Sequence, residues 1–524
     1  MNINKQKIIL FLLFIFSSYC VFSIGRSWDE FYHLELGKAT YQYLFSFGKK
    51  NNDVFYREFY SAIYWSIQYF ITQIFFLKFK VETLHFLNLI FAFATLFGIG
   101  KISGLLFNKY VGKISFIILF FYPIFFGHMG FNPKDTILAF CHVWIFYLIL
   151  KYIKKQNSEI NCFKYIFFIS LLAAISTGIQ LVFLGSLITV ILFILADIFI
   201  FKKITNNNFN YRKFSVDILL GLLIFYIILT IFWIDTHENI FLLQKNIFLQ
   251  NLSEDNFRGW PFNLINGDYY YSNNITKFYF LINFIYKSPE YFIILYIIFF
   301  MFIFRNKIFF VNIFEFFYYK LLLIFLILLL PNLILFIIPF PVYDGFRLFL
   351  WAIPYYCIFP SLAVYFIIKN FNELKNKVIV FLLTPFILLF LYNFFILTPY
   401  QYTYLNLFTG NTLKHPNKFE NDYWGGSIKE LIKKSSFLNQ GKKLSYCGIN
   451  KAVIKFYLDR YNLKKIEIVS STEDYDYIIM TNRTLLENTS DSSFELKTCF
   501  QKYQGENLST VQRNGLVLST IRKN

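Results

Sequence analysis

The sequence predicts an all-α polytopic membrane bundle that carries a small α/β domain at its C-terminal end. Of the 524 residues, 57% are hydrophobic and only 15% are charged, a composition far too apolar for a soluble protein of this size. Apolar runs of spanning length recur along the chain, about 11 in all. After residue 398 the composition changes, and the chain becomes polar and lysine-rich without a spanning run. These three observations define the predicted architecture.

The apolar runs are predicted to be transmembrane helices. Their expected ranges are 8–24, 84–100, 114–128, 136–152, 164–177, 180–201, 215–234, 289–304, 320–338, 346–368 and 377–397. The first run follows Lys5 and Lys7, as in a signal peptide. It lacks a small-residue cleavage site, however, so we expect an uncleaved helix.

Basic clusters set the expected orientation, with the N-terminus inside and the C-terminus outside. If every run spans, the clusters between the runs fall on one side, which the positive-inside rule makes cytoplasmic. The net charge of +19 is therefore explained by topology, and no nucleic acid partner is predicted. The segment 60–79 is apolar but carries Gln68 and Gln73, and its crossing would reverse every later loop. We expect it to lie in the interface or sideways on the bundle.

Two domains are expected. Residues 1–398 form the transmembrane domain, with long outer loops at 25–83 and 235–288, and residues 399–524 form the small extracytoplasmic α/β domain. The elements predicted in this second domain are a helix at 427–438, a strand at 443–447, a helix at 452–461, strands at 466–469 and 475–480, and a hairpin turning at Asn514-Gly515. Cys447 and Cys499 share this region, and a disulfide between them stays open because no spacing rule supports it.

Most unusual polar residues of the chain fall in the outer connections. Asp29 and Glu30 directly follow the first apolar run, where unpaired charge is expensive and tends to be kept for function. The other candidates for a substrate cavity in these connections are His33, Asn132, Lys134, Asp135, Trp260, Tyr270, Tyr343, Asp344 and Arg347. Acids and bases from distant parts of the sequence are thus expected to meet at one membrane surface.

Structural explanations compete with a functional one at these positions. Asp29 and Glu30 could cap a following helix, whose first turn favours acids. Asn132-Pro133 is also a plausible helix start, with Asn as the cap and Pro at the first position. Arg347 could be an interfacial anchor. His128, on an apolar helix, is better explained as a hydrogen-bonded packing residue than as a metal ligand.

A series of motifs in chain order favours the functional explanation. They are the acidic pair after the first helix, GHMGFNPKD at 127–135, LINGDYYYSNNITKFYFLINFIYKSPE at 264–290, YDGFRLFLWAIP at 343–354, and LTPYQYTYLNLFTGN with FENDYWGGSIKE at 397–411 and 419–430. In this order they resemble a bacterial branch of the family 39 glycosyltransferases. That family is similar to the dolichyl-phosphate-mannose-protein mannosyltransferases, which are integral-membrane enzymes that use lipid-linked sugars. The resemblance covers about residues 20–435.

The resemblance implies an inverting glycosyltransferase in the bacterial inner membrane, with its active site facing the exterior. The donor would be a sugar on polyprenyl phosphate, and the acceptor hydroxyl would belong to a protein, a glycolipid or a polysaccharide. Asp29 is the candidate base, and Glu30 is its positioning partner or substitute. Lys134 and Arg347 are the candidate ligands of the donor phosphate, because cations in a low-dielectric site stabilise a developing negative charge.

Several alternatives stay open. The long connection 235–288 is the expected region of acceptor selection, where Trp260 and the tyrosines at 269–271 either stack on a sugar or belong to an interfacial aromatic belt. No cofactor is required, although a divalent metal could be held through carboxylate oxygens of Asp29, Glu30, Asp135 or Asp344. The alternative function is a transporter or flippase of lipid-linked saccharides. Inverted repeats would favour that alternative, and the sequence contains none that we recognise.

Overall fold

The structure is a computed structural model, and helices dominate it. It describes residues 3–51, 60–74, 80–156, 162–205, 209–242, 245, 259–337, 340–410, 417–440, 442–488 and 494–524. Among these residues, strands occur only in a hairpin of the long central connection and in the C-terminal part of the chain.

Each predicted span falls on one or more of the observed helices. The first half of the chain contains α1 (Ile3–Ser23), α2 (Glu30–Phe45), α3 (Ile63–Ile74), α4 (Lys80–Leu106), α5 (Lys109–Phe120), α6 (Pro123–His128), α7 (Asp135–Lys155), α8 (Phe163–Ile179), α9 (Phe183–Ser186), α10 (Ile188–Ala196) and α11 (Tyr211–Phe232). The second half contains α12 (Tyr279–Lys287), α13 (Glu290–Arg305), α14 (Lys307–Ile313), α15 (Phe317–Ile337), α16 (Ile353–Tyr356), α17 (Ile358–Lys369), α18 (Leu374–Ile396), α19 (Ile428–Lys434), α20 (Lys451–Arg460) and α21 (Cys499–Lys502).

The multi-pass helical membrane fold is confirmed, whereas the predicted number of spans is not. Within the described ranges, 6 helices are long and apolar enough to cross a membrane, and the bent pair α12 and α13 raises the number to 7. The single helices are α1, α4, α7, α11, α15 and α18. Other predicted spans are divided into shorter pieces. The run 114–128, for example, is split between α5 and α6 where Pro123 begins a new helix.

The segment expected to pack sideways contains the helix α3, which has 12 residues. These 12 residues rise about 18 Å. It packs against α2, where a Cβ on Gly37 would lie only 2.2 Å from the carbonyl oxygen of Trp65. Only glycine allows the two backbones to approach so closely. α3 therefore packs closely on α2, while its placement relative to the membrane stays a prediction.

The C-terminal part has the predicted α/β character. The strands of the whole structure are β1 (Phe262–Ile265), β2 (Asp268–Tyr271), β3 (Lys443–Cys447), β4 (Glu467–Ile468), β5 (Tyr477–Thr481), β6 (Thr484–Asn488), β7 (Phe494–Thr498), β8 (Asn507–Arg513) and β9 (Leu516–Lys523). A five-stranded sheet has the order β4-β3-β5-β9-β8, with β4, β3 and β5 parallel and β9 antiparallel to both of its neighbours. The antiparallel pair β6 and β7 was not predicted. The structure also contains the disulfide between Cys447 and Cys499 that the sequence left open.

The C-terminal domain docks on the segment that follows α1. The backbone amide of Gly25 donates to the carbonyl of Gly426 at 2.8 Å. The amide of Arg26 donates to the Tyr457 hydroxyl at 2.7 Å. Ile24 belongs to the same buried cluster as the core residues of this domain. Consequently, the acidic pair after the first helix lies at the junction between the bundle and the C-terminal domain.

Candidate functional site

A buried arginine lies among three carboxylates at this junction. The Arg347 side chain is 3% exposed, and its guanidinium nitrogens lie 2.8 Å from Asp344, 3.5 Å from Asp135 and 3.9 Å from Asp29. These residues come from three of the predicted outer connections. The structure therefore brings together the candidate base, one candidate phosphate ligand and two of the candidate cavity residues.

Aromatic rings hold the guanidinium in place. Its central carbon lies 4.4 Å from the ring centre of Trp424 and 4.9 Å from that of Tyr343. Arg347 also donates to the Tyr343 hydroxyl at 3.2 Å. Cation–π contacts of this kind restrict a charged side chain without neutralising it. Arg347 is therefore oriented as part of a built site, which a freely moving interfacial anchor would not be.

The backbone around Asp344 explains how its carboxylate reaches this position. Asp344 and Gly345 both have positive φ, at 58° and 63°. Aspartate tolerates the left-handed region better than most residues, and glycine enters it freely. A Cβ on Gly345 would also lie 2.5 Å from Nζ of Lys287, at the movable end of that side chain, so the positive φ is the stronger reason for glycine here. The turn places the Asp344 carboxylate between Arg347, three residues later, and Arg483 in the C-terminal part of the chain.

Asp29 is the most accessible of the three carboxylates. Its side chain is 35% exposed, against 1% for Asp135 and 0% for Asp344. Asp29 precedes α2, but its side chain makes no capping hydrogen bond. The capping interpretation therefore does not account for it. Among the acids around Arg347, Asp29 is the one that a reactant can reach.

Glu30 points away from Arg347. It is buried, lies 3.0 Å from Nε2 of His85 on α4, and accepts a hydrogen bond from the backbone amide of Ser27 at 2.9 Å. Burial raises the pKa of the Glu30 carboxyl, but His85, Arg26 and the hydrogen bonds together hold that pKa below its ordinary value. An enclosed carboxylate with its own partners suits positioning of the segment better than proton transfer.

Asn132 lies in the turn before α7 and orients Asp135, the first residue of that helix. Its side-chain oxygen accepts from the amides of Lys134 and Asp135, at 3.1 and 2.9 Å, as a capping residue would, but the helix begins at Asp135 and not at Pro133 as predicted. Its side-chain nitrogen donates to the Asp135 carboxylate at 3.0 Å. His128 lies 2.8 Å from the Tyr423 hydroxyl, in the packing role predicted for it. The structural and functional explanations of this motif are therefore compatible.

Lys134 and His33 line the neighbouring part of the site. Nζ of Lys134 lies 3.4 Å from the Tyr60 hydroxyl and 5.2 Å from its ring centre. His33 is buried and stacks on Trp65, with ring centres 4.2 Å apart. Burial, and then the charge of Lys134, lower the pKa of His33 to about 3, so its imidazole is neutral at physiological pH. His33 thus supports the wall of the site as an uncharged ring.

The two aromatic candidates of the long connection have different surroundings. Trp260 contacts Trp28 edge to face, with ring centres 5.7 Å apart, and donates from its indole nitrogen to the carbonyl of Thr484 at 3.1 Å. It therefore lies beside the residue that precedes Asp29. Tyr270 lies on β2 and packs, half-buried, against the hydrophobic core of the bundle.

Sequence reasoning missed three charged residues of this site. Arg483 forms an ion pair with Asp344 and lies 3.5 Å from Glu420, which also accepts from the amide of Thr484 at 2.7 Å. Lys287 is buried beside Gly345. Burial raises the pKa of Glu420 above its ordinary value, although Arg483 opposes the shift. Glu420 and Lys287 lie inside two of the motifs that carry the family resemblance. Arg483 lies beyond these motifs, and no pattern in the sequence marked it as a site residue.

The carboxylates of this site do not fit a divalent cation. Asp29, Asp135 and Asp344 surround the Arg347 guanidinium instead of a common empty centre, and Glu30 is turned to His85. Across the part of the chain that the structure describes, no group of three or more His, Cys, Asp or Glu side chains is arranged to hold a metal ion. We therefore derive no chemical step through a metal.

The arrangement of helices and strands in this chain is similar to that of solved structures. ArnT from Cupriavidus metallidurans in the apo state matches with a TM-score of 0.53 at 10% sequence identity, over 99% of this chain and 98% of that chain. The fold is that of ArnT. Its structure bound to undecaprenyl phosphate matches with a TM-score of 0.51 at 9% identity, over the same 99% and 98%. At these identities the likeness shows the fold alone, and this fold agrees with the resemblance carried by the motifs.

Other comparisons add little. The oligosaccharyltransferase of Archaeoglobus fulgidus in the apo form matches with a TM-score of 0.44 at 8% identity, over 96% of this chain and 76% of that chain, which is too low to support a conclusion. No protein-family model matches the sequence, and no curated protein is significantly similar to it.

Proposed function

We propose that this chain is an inverting glycosyltransferase of a bacterial inner membrane. It would move a sugar from a polyprenyl-phosphate donor to an acceptor hydroxyl on the outer face. The observation that carries the proposal is the accessible Asp29 carboxylate 3.9 Å from the buried Arg347 guanidinium. The shared fold supports the choice of donor, because ArnT has been solved with undecaprenyl phosphate bound.

Asp29 would act as the general base. Its exposed carboxylate would accept the proton of the acceptor hydroxyl, and the hydroxyl oxygen would form a bond to the anomeric carbon of the donor. Attack from the face opposite the leaving group inverts the configuration of the sugar.

Arg347 and Lys134 would hold the leaving group. As the bond from the anomeric carbon to the phosphate oxygen breaks, the electron pair stays with the phosphate and its negative charge increases. A planar guanidinium can donate to two phosphate oxygens at once, whereas an ammonium acts as a point charge. Because the rings of Trp424 and Tyr343 already orient Arg347, little reorganisation accompanies the reaction.

The test uses the purified full-length protein in nanodiscs, incubated with a panel of undecaprenyl-phosphate sugars. We expect release of undecaprenyl phosphate with at least one sugar. Asp29→Asn should lower the rate by about 100-fold or more, which is the usual contribution of general base catalysis. Glu35→Gln is a matched control, because Glu35 lies on α2 as an exposed carboxylate paired with Lys38 at 3.8 Å.

Two results would contradict the proposal. Substantial transfer by Asp29→Asn would reject Asp29 as the base. Absence of release with every donor, together with movement of a lipid-linked saccharide across reconstituted vesicles, would favour the transporter or flippase.

A further inference from the structure

A second arginine reaches the site from the C-terminal domain. Arg483 lies between β5 and β6 and is buried at the junction with the bundle. Its guanidinium pairs with Oδ1 of Asp344, while Arg347 approaches Oδ2 of the same carboxylate at 2.8 Å. Asp344 is therefore shared between one arginine from each part of the chain.

This sharing changes the charge balance around Arg347. Without Arg483, the guanidinium of Arg347 would face the carboxylates of Asp29, Asp135 and Asp344 with the full charge of each. Such an environment repels an incoming phosphate. Arg483 is closer to Asp344 than to its second neighbour, Glu420 at 3.5 Å, so it compensates the Asp344 charge at short range, in a buried setting where solvent screens little. It thereby makes the neighbourhood of Arg347 more favourable for an anion.

Unused donors at the site also point to an anionic ligand. Nε of Arg483 is buried and lacks a hydrogen-bond partner within the described residues, and Nε of Arg347 makes no hydrogen bond there, its neighbouring acceptor being the Asp135 carboxylate at 3.5 Å. Buried guanidinium donors are normally satisfied, because an unpaired buried polar group is costly. A ligand that brings acceptor oxygens to this place would satisfy them.

Arg483 is firmly held by its surroundings. Its guanidinium lies 4.5 Å from the ring centre of Trp260. Its backbone carbonyl accepts from the amide of Cys499 at 2.9 Å, next to the disulfide with Cys447. The preceding residue, Asn482, donates to the carbonyl of Phe419 at 2.8 Å. The disulfide and these contacts fix the loop that presents the side chain.

We propose that Arg483 is a positioning residue of the transfer site. By sharing Asp344 with Arg347, it leaves Arg347 able to bind the phosphate of a polyprenyl-phosphate ligand. The inference rests on the proposed function and deepens it, because it makes the C-terminal domain a direct part of the donor site. A domain that only docks on the bundle would not have this effect.

The chain offers a matched control for docking. Arg460 of the C-terminal domain pairs with Glu82 of α4 at 2.7 Å. This ion pair also joins the two parts of the chain, but it involves none of the residues around Arg347. Arg460→Gln therefore removes a docking contact without changing the charge balance of the site.

The experiment measures binding of radiolabelled undecaprenyl phosphate to the full-length protein in nanodiscs. We expect Arg483→Gln to raise the Kd roughly tenfold or more, since loss of one partner of a buried charge pair is strongly unfavourable. Arg460→Gln should change the Kd by less than about twofold, as is usual for a peripheral pair. Asp344→Asn in the Arg483→Gln background should restore part of the affinity. In the transfer assay, Arg483→Gln should raise KM for the donor more than it lowers kcat.

Each outcome has a definite meaning. An unchanged Kd for Arg483→Gln overturns the inference. Equal losses for Arg483→Gln and Arg460→Gln, with equal decreases of the thermal midpoint, also overturn it, because they indicate docking alone. Failure of the wild-type protein to bind undecaprenyl phosphate rejects the proposed donor instead, and the inference falls with it.

Discussion

The guanidinium of Arg347 lies 2.8 Å from the carboxylate of Asp344, three residues earlier in the chain. The turn between them, with Asp344 and Gly345 at positive φ, directs both charged groups into the junction between the bundle and the C-terminal domain. A short sequence motif thus supplies a preformed ion pair. Its partners, Asp29, Asp135 and Arg483, all come from other parts of the chain.

Arg347→Lys is expected to distinguish the contribution of the positive charge of Arg347 from that of its planar guanidinium. Lysine keeps the positive charge among the carboxylates, so the protein should still fold. It cannot bind two phosphate oxygens in parallel or stack flat on Trp424, so transfer should fall by about tenfold or more. The measurement is the rate of undecaprenyl phosphate release, with Arg305→Lys at the end of α13 as the control. Full activity in Arg347→Lys would show that only charge is required.

Glu30→Gln is expected to affect mainly the stability of the protein, and Asp29→Asn mainly its transfer activity. Glu30 is buried against His85, so its neutralisation should lower the free energy of unfolding by about 1–3 kcal/mol, as for other charged hydrogen-bond partners. Asp29 is partly exposed, so Asp29→Asn should leave the thermal midpoint nearly unchanged while it abolishes transfer. Thermal unfolding and the transfer assay, applied to both variants, make the comparison. A stable Glu30→Gln variant without activity would instead assign proton transfer to Glu30.

Loss of the disulfide is expected to weaken the C-terminal domain and the donor site together. The bridge between Cys447 and Cys499 closes a sequence separation of 52 residues, and bridges of this kind typically contribute about 2–4 kcal/mol. The double Cys→Ser variant should therefore be cleaved faster by protease in this domain. It should also bind undecaprenyl phosphate more weakly, because the loop of Arg483 is less constrained.

The control for this prediction is the same double variant in reducing buffer. Reduction should lower the protease resistance and the undecaprenyl phosphate affinity of the wild-type protein. It should have no further effect on the variant. Wild-type affinity and protease resistance in the double variant would show that the other contacts of Arg483 are sufficient.

The stability of the C-terminal domain should depend on pH through Glu430. Burial raises the pKa of this carboxyl, but hydrogen bonds from Arg513, Lys434 and Tyr400 outweigh burial and lower the pKa below its ordinary value of 4.5. A carboxyl with a depressed pKa in the folded state stabilises the protein above its unfolded pKa, and this contribution is lost as the pH falls through the folded value. Acidification below about pH 4.5 should therefore weaken the docking of this carboxylate on Arg513.

The measurement compares the thermal midpoints of the wild-type protein and Glu430→Gln. The difference should be largest near neutral pH and should shrink as the pH falls below the ordinary pKa of 4.5. Other buried carboxyls, such as Glu420 and Asp422, are present in both proteins and cancel in the difference. A difference that grows on acidification would contradict the assigned sign.

Much of the fold follows from local patterns of the sequence. Apolar runs of membrane length determine a multi-pass helical bundle, because a backbone in lipid must satisfy its own hydrogen bonds. In the C-terminal domain, alternating residues and turn signals located the strand Lys443–Cys447 and the turn at Asn514-Gly515. Asn132 before Pro133 located the start of α7 to within two residues, for the same local reason. These features depend on neighbours in the chain.

The assembly of the site was decided by the tertiary structure. Asp29 and Glu30 are adjacent, but successive residues at a helix start point about 100° apart, so the sequence could not tell which of them faces Arg347. Arg483, 136 residues beyond Arg347, reaches Asp344 only because the C-terminal sheet docks on the segment after α1. Local sequence patterns were enough to predict the class of fold and several, though not all, of the charged residues of the site. Only long-range packing decided which of them meet, because contacts between distant segments depend on the arrangement of the whole bundle.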